Sequence, residues 1–294
     1  MTELGQAPSD LDLTIFVACY DEEANIIPTL ETLRDAMKDL ALTWEAIVID
    51  DGSRDRSVAL VADYIQTLPE LPIRLVVNEA NRGLAENYIE GSFLGRGRYY
   101  RLVCGDDVED AQTFRQVFSQ VGKADMVLFY HNDNRRTLFR KLVSRMYTGL
   151  INLISGHSLH YYNGCAIHLR YNVMRWHTNY HGFGFQADLI CRLIDEGFNY
   201  IEVPIKALER PHGRSKAFTA RNLLSVAHTM MDLAIRRVGR LFFRKVTCKA
   251  LWHERTDLYA VRKGSQTPEP SHGQTPANDP TRNMAAVVSG EGRA

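Results

Sequence analysis

Residues 46–53 read AIVIDDGS. Four apolar or β-branched residues run without alternation into two adjacent carboxylates, a glycine and a serine. Such a run reads as a strand buried on both faces, the form taken by strands of a parallel sheet. Two like charges at its end repel each other, and burying either one is costly unless a cation or hydrogen-bond donors meet it. The same pattern recurs on both sides of this stretch. Residues 13–19 (LTIFVAC) lead into Tyr20-Asp21-Glu22-Glu23, and residues 73–77 (IRLVV) lead to Asn78 and on to Gly83. Residues 99–103 (YYRLV) end in Cys104-Gly105-Asp106-Asp107, and residues 125–130 (DMVLFY) give a fifth strand.

Helices are expected between these strands, near 27–40, 56–66, 84–94 and 111–120. Asn25 and Pro28 open the first, and Ser53 or Asp55 caps the second. Strands alternating with helices specify an α/β fold, an open and mostly parallel sheet flanked by helices. Ligands of such sheets sit beyond the carboxyl ends of the strands. Asp21/Glu22, Asp50/Asp51 and Asp106/Asp107 all fall at such ends. One aspartate of this kind reads equally well as a turn or cap residue. Three pairs at corresponding ends point to a binding site.

From residue 135 the texture changes. RRTLFRKLVSRMYTGLINLISG reads as a basic helix with an apolar face. HSLHYYNGCAIHLR reads as a β-hairpin or loop turning at Asn163-Gly164. A helix is expected from about residue 186, in FQADLICRLIDEG. NYIEVPIKALER reads as a strand that Pro204 places at a sheet edge. Residues 219–252 read as one long basic amphipathic helix or a pair, and the Ser/Gly/Pro/Thr/Asn-rich tail as disordered. The expected organisation is a flexible N-terminus (1–11), an α/β domain (12–218), a basic helical segment (219–255) and a disordered tail (256–294).

The 294 residues are 45% apolar and 24% charged, with Lys+Arg and Asp+Glu both 35. A net charge of zero gives no whole-protein attraction to nucleic acid. The five cysteines lack metal spacing, which fits small buried residues in a reducing compartment. The polar, acidic N-terminus does not read as a signal peptide, and no run approaches the ~20 apolar residues that span a bilayer. A cytoplasmic location is expected, with any work at a membrane done from its surface.

For a ligand carrying a diphosphate, such as a nucleotide sugar, nearby carboxylates make sense with a bridging divalent cation. Hard oxygen donors suit Mg²⁺ or Mn²⁺. Asp106 and Asp107 are the candidate ligands. Glu109 lies two residues beyond Asp107, on the same side if the chain stays extended. Arg210, His212, Arg214, Ser215 and Lys216 cluster around a glycine, and Arg forks with a Lys suit phosphate oxygens. No GxGxxG follows the first strand, which disfavours a dinucleotide-dependent dehydrogenase.

ACYDEEANI, IDDGSRDRS, NRGLAENY, a strand ending in an aspartate pair, and EVPI followed by ER and HGRSK occur in that order. Over about residues 12–240 this ordered set resembles an inverting family 2 glycosyltransferase of the GT-A fold. Within it, the dolichyl- or polyprenyl-phosphate mannosyl- and glucosyltransferases are most similar. The resemblance implies a GT-A, Rossmann-like sheet and transfer of a hexose from a UDP- or GDP-sugar to a polyprenyl or dolichyl phosphate. It implies that Asp50 or Asp51 meets the nucleobase and ribose, with Tyr20 and Glu22 lining the same pocket. Gly52 then lets the backbone approach the ligand, and Asn81, Arg82 and Gly83 stand near the diphosphate. The basic loop with Arg210, Arg214, Ser215 and Lys216 closes over the diphosphate. FGFQADLI matches the helix presenting an acceptor-side acid, here Asp188. It would serve a hydroxyl acceptor as general base, whereas a lipid phosphate is already anionic and needs no strong base.

Two departures stand out. The family usually has Asp-x-Asp at the metal strand, often with Gln two residues on. Here, if Asp107 is the second aspartate, Gly105 replaces the first, Asp106 substitutes from the next position, and Glu109 takes the Gln place. The subgroup often has an Asp and a Ser-Gly-Phe-Arg-like stretch where this chain has Tyr161-Tyr162-Asn163-Gly164-Cys165-Ala166-Ile167. Acceptor identity therefore stays open between a lipid phosphate and a hydroxyl of a polysaccharide or glycolipid. A non-catalytic module that binds nucleotide sugar is the remaining reading. Residues 206–255 hold twelve Lys/Arg against three Asp/Glu. LAIRRVGRLFFRK interleaves Leu, Ile and Phe with Arg, as an interfacial helix on an anionic membrane does. A basic face packed on the domain reads equally well.

Overall fold

The computed structural model describes residues 11–131, 138–175, 184–205 and 220–243. Strands β1 (Leu11–Cys19), β2 (Trp44–Asp50), β3 (Ile73–Val77), β4 (Gly97–Cys104) and β5 (Met126–His131) alternate with helices α1 (Ile26–Met37), α2 (Ser57–Thr67), α3 (Leu84–Leu94) and α4 (Ala111–Phe118). Helix α5 (Leu138–Ser155), strand β6 (Ile167–Leu169), helices α6 (Arg170–Met174) and α7 (Phe185–Asp195), strand β7 (Tyr200–Ile205) and helix α8 (Ala220–Phe243) follow. The order in the sheet is β3-β2-β1-β4-β6-β5-β7. Strand β6 runs antiparallel to β4 and β5, and every other pairing is parallel. Pro204 lies on edge strand β7, as its missing N–H requires.

Strands β1, β2 and β4 read as nearly unbroken apolar runs because both faces are covered. Leu13, Ile15, Val17, Ala46 and Val48 pack with Leu30, Leu33, Val61, Phe114 and Phe118 of α1, α2 and α4. Phe16, Ile47, Ile49, Tyr100 and Leu102 pack on the other face with Tyr88, Phe185 and Leu189. Register aligns the carboxyl ends: Cys19 pairs with Asp50, Asp50 with Val77 and Ala18 with Cys104. The acidic turns that follow β1, β2 and β4 are thereby set side by side along one edge.

Of the two readings of residues 157–170, hairpin or loop, the structure has the loop: it leads into the short strand β6, which is inserted between β4 and β5. Gly164 serves close approach, since a Cβ there would lie 2.0 Å from the Phe129 carbonyl oxygen. Within residues 220–243, the described part of the basic segment, the chain packs on the α/β domain. Helix α8 packs against α5 and α7 within the unit Met1–Thr247. Gly184 permits this, because a Cβ there would lie 2.1 Å from Thr229 Oγ1. The expected disordered tail (256–294) lies outside the described residues.

Candidate active site

A cleft of about 400 Å³ opens at the carboxyl ends of β1, β2 and β3. Tyr20, Asp50, Gly52, Asn78 and Asn81 are among the residues lining it. The two carboxylates ending β2 are both buried, at 0% and 6% exposure, and each is held by its own set of donors. Asp50 accepts hydrogen bonds from the Gly52 and Ser53 N–H groups, at 3.1 and 2.8 Å, and from the Ser53 hydroxyl at 2.5 Å. Asp51 accepts from the Arg82 and Gly83 N–H groups at 2.7 and 2.9 Å, and from Asn78 Nδ2 at 3.1 Å. Backbone donors of this kind stabilise a charged carboxylate in place of water. Asp50 therefore forms the cleft wall, and Asp51 ties β2 to the loop that begins α3.

The other residues expected at the nucleoside and diphosphate are distributed differently. Gly52 adopts φ +77, and a Cβ there would approach the Ala80 and Asn81 backbone within 3.2–3.3 Å. Only glycine supplies both the left-handed conformation and the close approach. Glu22 accepts from the Asn25 amide at 2.7 Å and does not line the cleft. The Arg82 guanidinium turns away, pairing with Glu86 at 2.5 Å and with Glu90. Arg82 and Gly83 thus contribute backbone N–H groups to Asp51, a role their side-chain chemistry does not announce.

The acidic turn after β4 lies beside this cleft, because β4 adjoins β1. Gly105 cannot be an aspartate in this fold: a Cβ would lie 2.8 Å from the Ala18 carbonyl oxygen and 2.9 Å from Ile26 Cδ1. That closes the position where the first acid of Asp-x-Asp would stand. Asp107 adopts φ +54, its N–H donates to Thr29 Oγ1 at 3.1 Å, and burial raises its carboxyl pKa. Asp21 and Cys165 are the other non-glycine residues with positive φ among those described. Such strained backbone gathers at functional sites. Glu109 is not placed as a metal ligand, because its carboxylate meets Arg101 Nη2 at 2.5 Å. No cluster of three or more His, Cys, Asp or Glu side chains suited to a metal occurs among the described residues. Asp106 and Asp107 nonetheless fit Mg²⁺ or Mn²⁺, which commonly take one or two carboxylates and fill their remaining positions with substrate phosphates and water.

Asp188 also departs from expectation. It lies in the first turn of α7 with no exposed surface, paired with Arg192 at 3.4 Å and with Arg236 of α8. A carboxylate so enclosed is a counter-ion in the α7–α8 contact and is not placed to take a proton from an acceptor. Arg210, Arg214, Ser215 and Lys216 lie outside the described residues.

Residues 14–175 match the family described as Glycosyl transferase family 2. A dolichyl-phosphate beta-glucosyltransferase from Dictyostelium discoideum is 32% identical over 110 residues, covering 36% of this chain and 34% of the relative. A dodecaprenyl-phosphate galacturonate synthase from Rhizobium johnstonii is 29% identical over 160 residues, covering 53% and 47%. An undecaprenyl-phosphate 4-deoxy-4-formamido-L-arabinose transferase from Edwardsiella ictaluri is 24% identical over 233 residues, covering 75% and 66%. The chain thus spans from about a third to about two thirds of the length of these curated relatives. In structure it is similar to glucosyl-3-phosphoglycerate synthase from Mycobacterium tuberculosis, solved with Mn²⁺, UDP and glucosyl-3-phosphoglycerate. That likeness has TM-score 0.57 at 15% identity over 77% of this chain and 81% of the other, and it establishes the GT-A fold. The family match covers more than half of the sequence and includes all three aspartate-bearing strand ends, and by it the chain belongs to glycosyl transferase family 2.

Proposed function

We propose that this protein transfers a sugar from a nucleotide sugar to a polyprenyl phosphate, with inversion at the anomeric carbon. The observation that carries this reading is the juxtaposition of a nucleoside-sized cleft walled by Tyr20, Asp50 and Asn81 with the Asp106-Asp107 turn. The relatives named for dolichyl, dodecaprenyl and undecaprenyl phosphate acceptors support the acceptor class.

In this reading Asp50 and the Tyr20 ring hold the nucleoside, and the Gly52 turn admits the ligand close to the backbone. Asp107, with Asp106, would hold Mg²⁺ or Mn²⁺, which supplies charge neutralisation for the departing diphosphate. An acceptor phosphate oxygen attacks the anomeric carbon from the face opposite the diphosphate, forming the new C–O bond as the bond to the leaving nucleoside diphosphate breaks. A lipid phosphate is already anionic at neutral pH, since its second pKa is about 6. No protein base is then required, in keeping with the enclosed position of Asp188. A hydroxyl acceptor would need one.

The acceptor's lipid implies contact with a membrane surface, and no described helix is long and apolar enough to cross a bilayer. Helices α5 and α8, packed together, expose Leu142, Met146, Leu150 and Leu153 on one and Met231, Ile235, Val238 and Phe242 on the other. We assign that stripe to the lipid surface, which makes the protein peripheral on a cytoplasmic face. Turnover of labelled UDP- and GDP-sugars with a polyprenyl phosphate, with and without Mn²⁺, tests the function. Asp107→Ala should retain the fold, lose metal-dependent nucleotide binding by calorimetry and lose transfer. Wild-type binding by that variant would refute the metal assignment, and no transfer to any polyprenyl phosphate would refute the acceptor.

A further inference from the structure

Arg101 is fully buried in the middle of β4. Its guanidinium carbon lies 5.7, 5.3 and 5.6 Å from the ring centres of Phe114, Phe118 and Phe129. Nη2 donates to Glu109 Oε1 at 2.5 Å, and Nε donates to the Cys165 carbonyl at 3.2 Å. The two acceptors belong to different parts of the fold. Glu109 follows the turn that carries Asp106 and Asp107. Cys165 closes the loop leading into β6, where this chain departs from the sequence pattern of its subgroup.

Both turns hold backbone that an L-residue seldom adopts: φ is +54 at Asp107 and +48 at Cys165. Such conformations persist only where the surroundings over-determine them. Around Cys165 the fixing contacts are its N–H to Gln186 Oε1 at 3.1 Å, the packing of Gly164 on the Phe129 carbonyl, and the bond from Arg101. A buried ion pair is a poor device for stability alone, because well-packed apolar residues serve as well or better. A rigid fork with two fixed acceptors is, however, well suited to setting one backbone segment relative to another.

We infer that Arg101 is a positioning residue that couples the acidic turn at 105–109 to the turn at 163–165, so that the two are set as one unit across β4. This deepens, and in its catalytic meaning rests on, the nucleotide-sugar reading above. The acidic turn would address the donor and the second turn the space beside it, and Arg101 would fix their separation.

Hydrogen–deuterium exchange on the whole chain tests the coupling without reference to activity. Glu109→Gln removes the counter-ion. The double variant Arg101→Met/Glu109→Leu removes both charges and guards against a fold lost to an unpaired buried cation. In either variant, exchange in peptides covering 161–166 should rise by about tenfold while peptides of β1 and β2 stay as in wild type. Arg101→Lys keeps the charge opposite Glu109 but lacks the second arm of the fork. It should loosen 161–166 and leave 105–109 protected, a split that a merely structural role would not produce. Unchanged exchange at 161–166 in both folded variants, or an equal rise throughout the sheet, overturns the inference. In a second arm, UDP or GDP with Mn²⁺ should protect both turns in wild type, but only 105–109 in Glu109→Gln. If neither nucleotide protects any part of the wild-type cleft, the donor reading falls, while the ligand-free comparison still decides the coupling.

Discussion

Arg236 of α8 reaches into α7 to pair with Asp188, a carboxylate with no exposed surface. Arg192 approaches the same carboxylate from one turn further along α7, at 3.4 Å. Breaking a buried pair by removing one charge leaves the other uncompensated and costs about 3–5 kcal/mol. Asp188→Asn should therefore lower stability in urea by an amount of that order. Asp188→Leu/Arg236→Leu should recover part of it. A variant that unfolds like wild type but loses transfer would restore Asp188 to the chemistry.

Asp51 provides the second prediction. It accepts from the Arg82 and Gly83 N–H groups and from Asn78, whose amide also donates to Asn87 at 2.8 Å. Asp51→Ala leaves those donors without this acceptor, and for the one in a buried residue, the Asn78 amide, the loss is worth about 1–3 kcal/mol. Nucleotide affinity should fall by about tenfold, equivalent to ~1.4 kcal/mol, through displacement of the 78–83 loop. Calorimetry with UDP and GDP, run with a chelator present, separates this from any effect on metal. An affinity equal to wild type would show that the loop does not depend on Asp51.

His168 gives a pH dependence whose sign is fixed by burial. It lies on β6 between Tyr100 and Met126, and desolvation lowers its pKa from 6.5 to about 3. Above pH 6.5 it is neutral whether the chain is folded or not, and the fold bears no penalty. Between pH 6.5 and about 3 the unfolded chain takes up a proton that the folded chain refuses. Stability from this group is therefore lost as pH falls through that window, by up to about 1.4 kcal/mol per pH unit. His157 is also lowered, mainly by its burial, so the readout is a difference between two proteins. Unfolding free energy of His168→Phe should fall less steeply with acidification than that of wild type. Parallel slopes would place a compensating group beside His168.

Legibility followed the kind of signal each segment carried. Strands β2 and β3 and helix α3 were readable within about a residue, β2 because burial on both faces leaves an unbroken apolar run, β3 and α3 because turn residues bound them. Strand β4 begins two residues earlier than its apolar run, at Gly97, where a Cβ would lie 2.2 Å from the Thr14 N. That glycine serves a close contact between strands. The Asn163-Gly164 pair carried a hairpin signal that packing against Phe129 overrode. At the site, the aspartates' position was legible, but their partners were not. Asp51 is met by backbone N–H groups of residues thirty positions away, and no side-chain pattern encodes a backbone donor. Glu109 looked free because its partner, Arg101, sits inside what reads as an ordinary strand. Asp188 matched a motif, whereas its burial depends on a long-range helix contact.

The sequence left the basic face of α8 open between attraction to an anionic surface and packing on the domain, and the structure turns Arg236, Arg237 and Arg240 inward. Arg236 pairs with Asp188, Arg237 donates to the Ile154 carbonyl at 3.1 Å, and Arg240 pairs with Asp195 and donates to the Ser155 carbonyl at 3.3 Å. These contacts secure α8 to the ends of α5 and α7. What faces outward is apolar: Ile235 is 63% exposed and Phe242 80%. Burying such side chains gives roughly 1.5–3 kcal/mol each when complete, and this term does not weaken with salt. Liposome binding should therefore survive high salt in large part, with the modest salt-dependent share coming from exposed basic residues such as Arg145. Ile235→Asp/Phe242→Asp should cut sedimentation with anionic liposomes by more than tenfold and leave the melting temperature close to wild type, since neither side chain is buried. Arg236→Glu should instead lower the melting temperature, because it sets a carboxylate against buried Asp188. If binding disappears in salt and the double aspartate variant still sediments, charge holds the protein at the membrane and the apolar stripe serves something else.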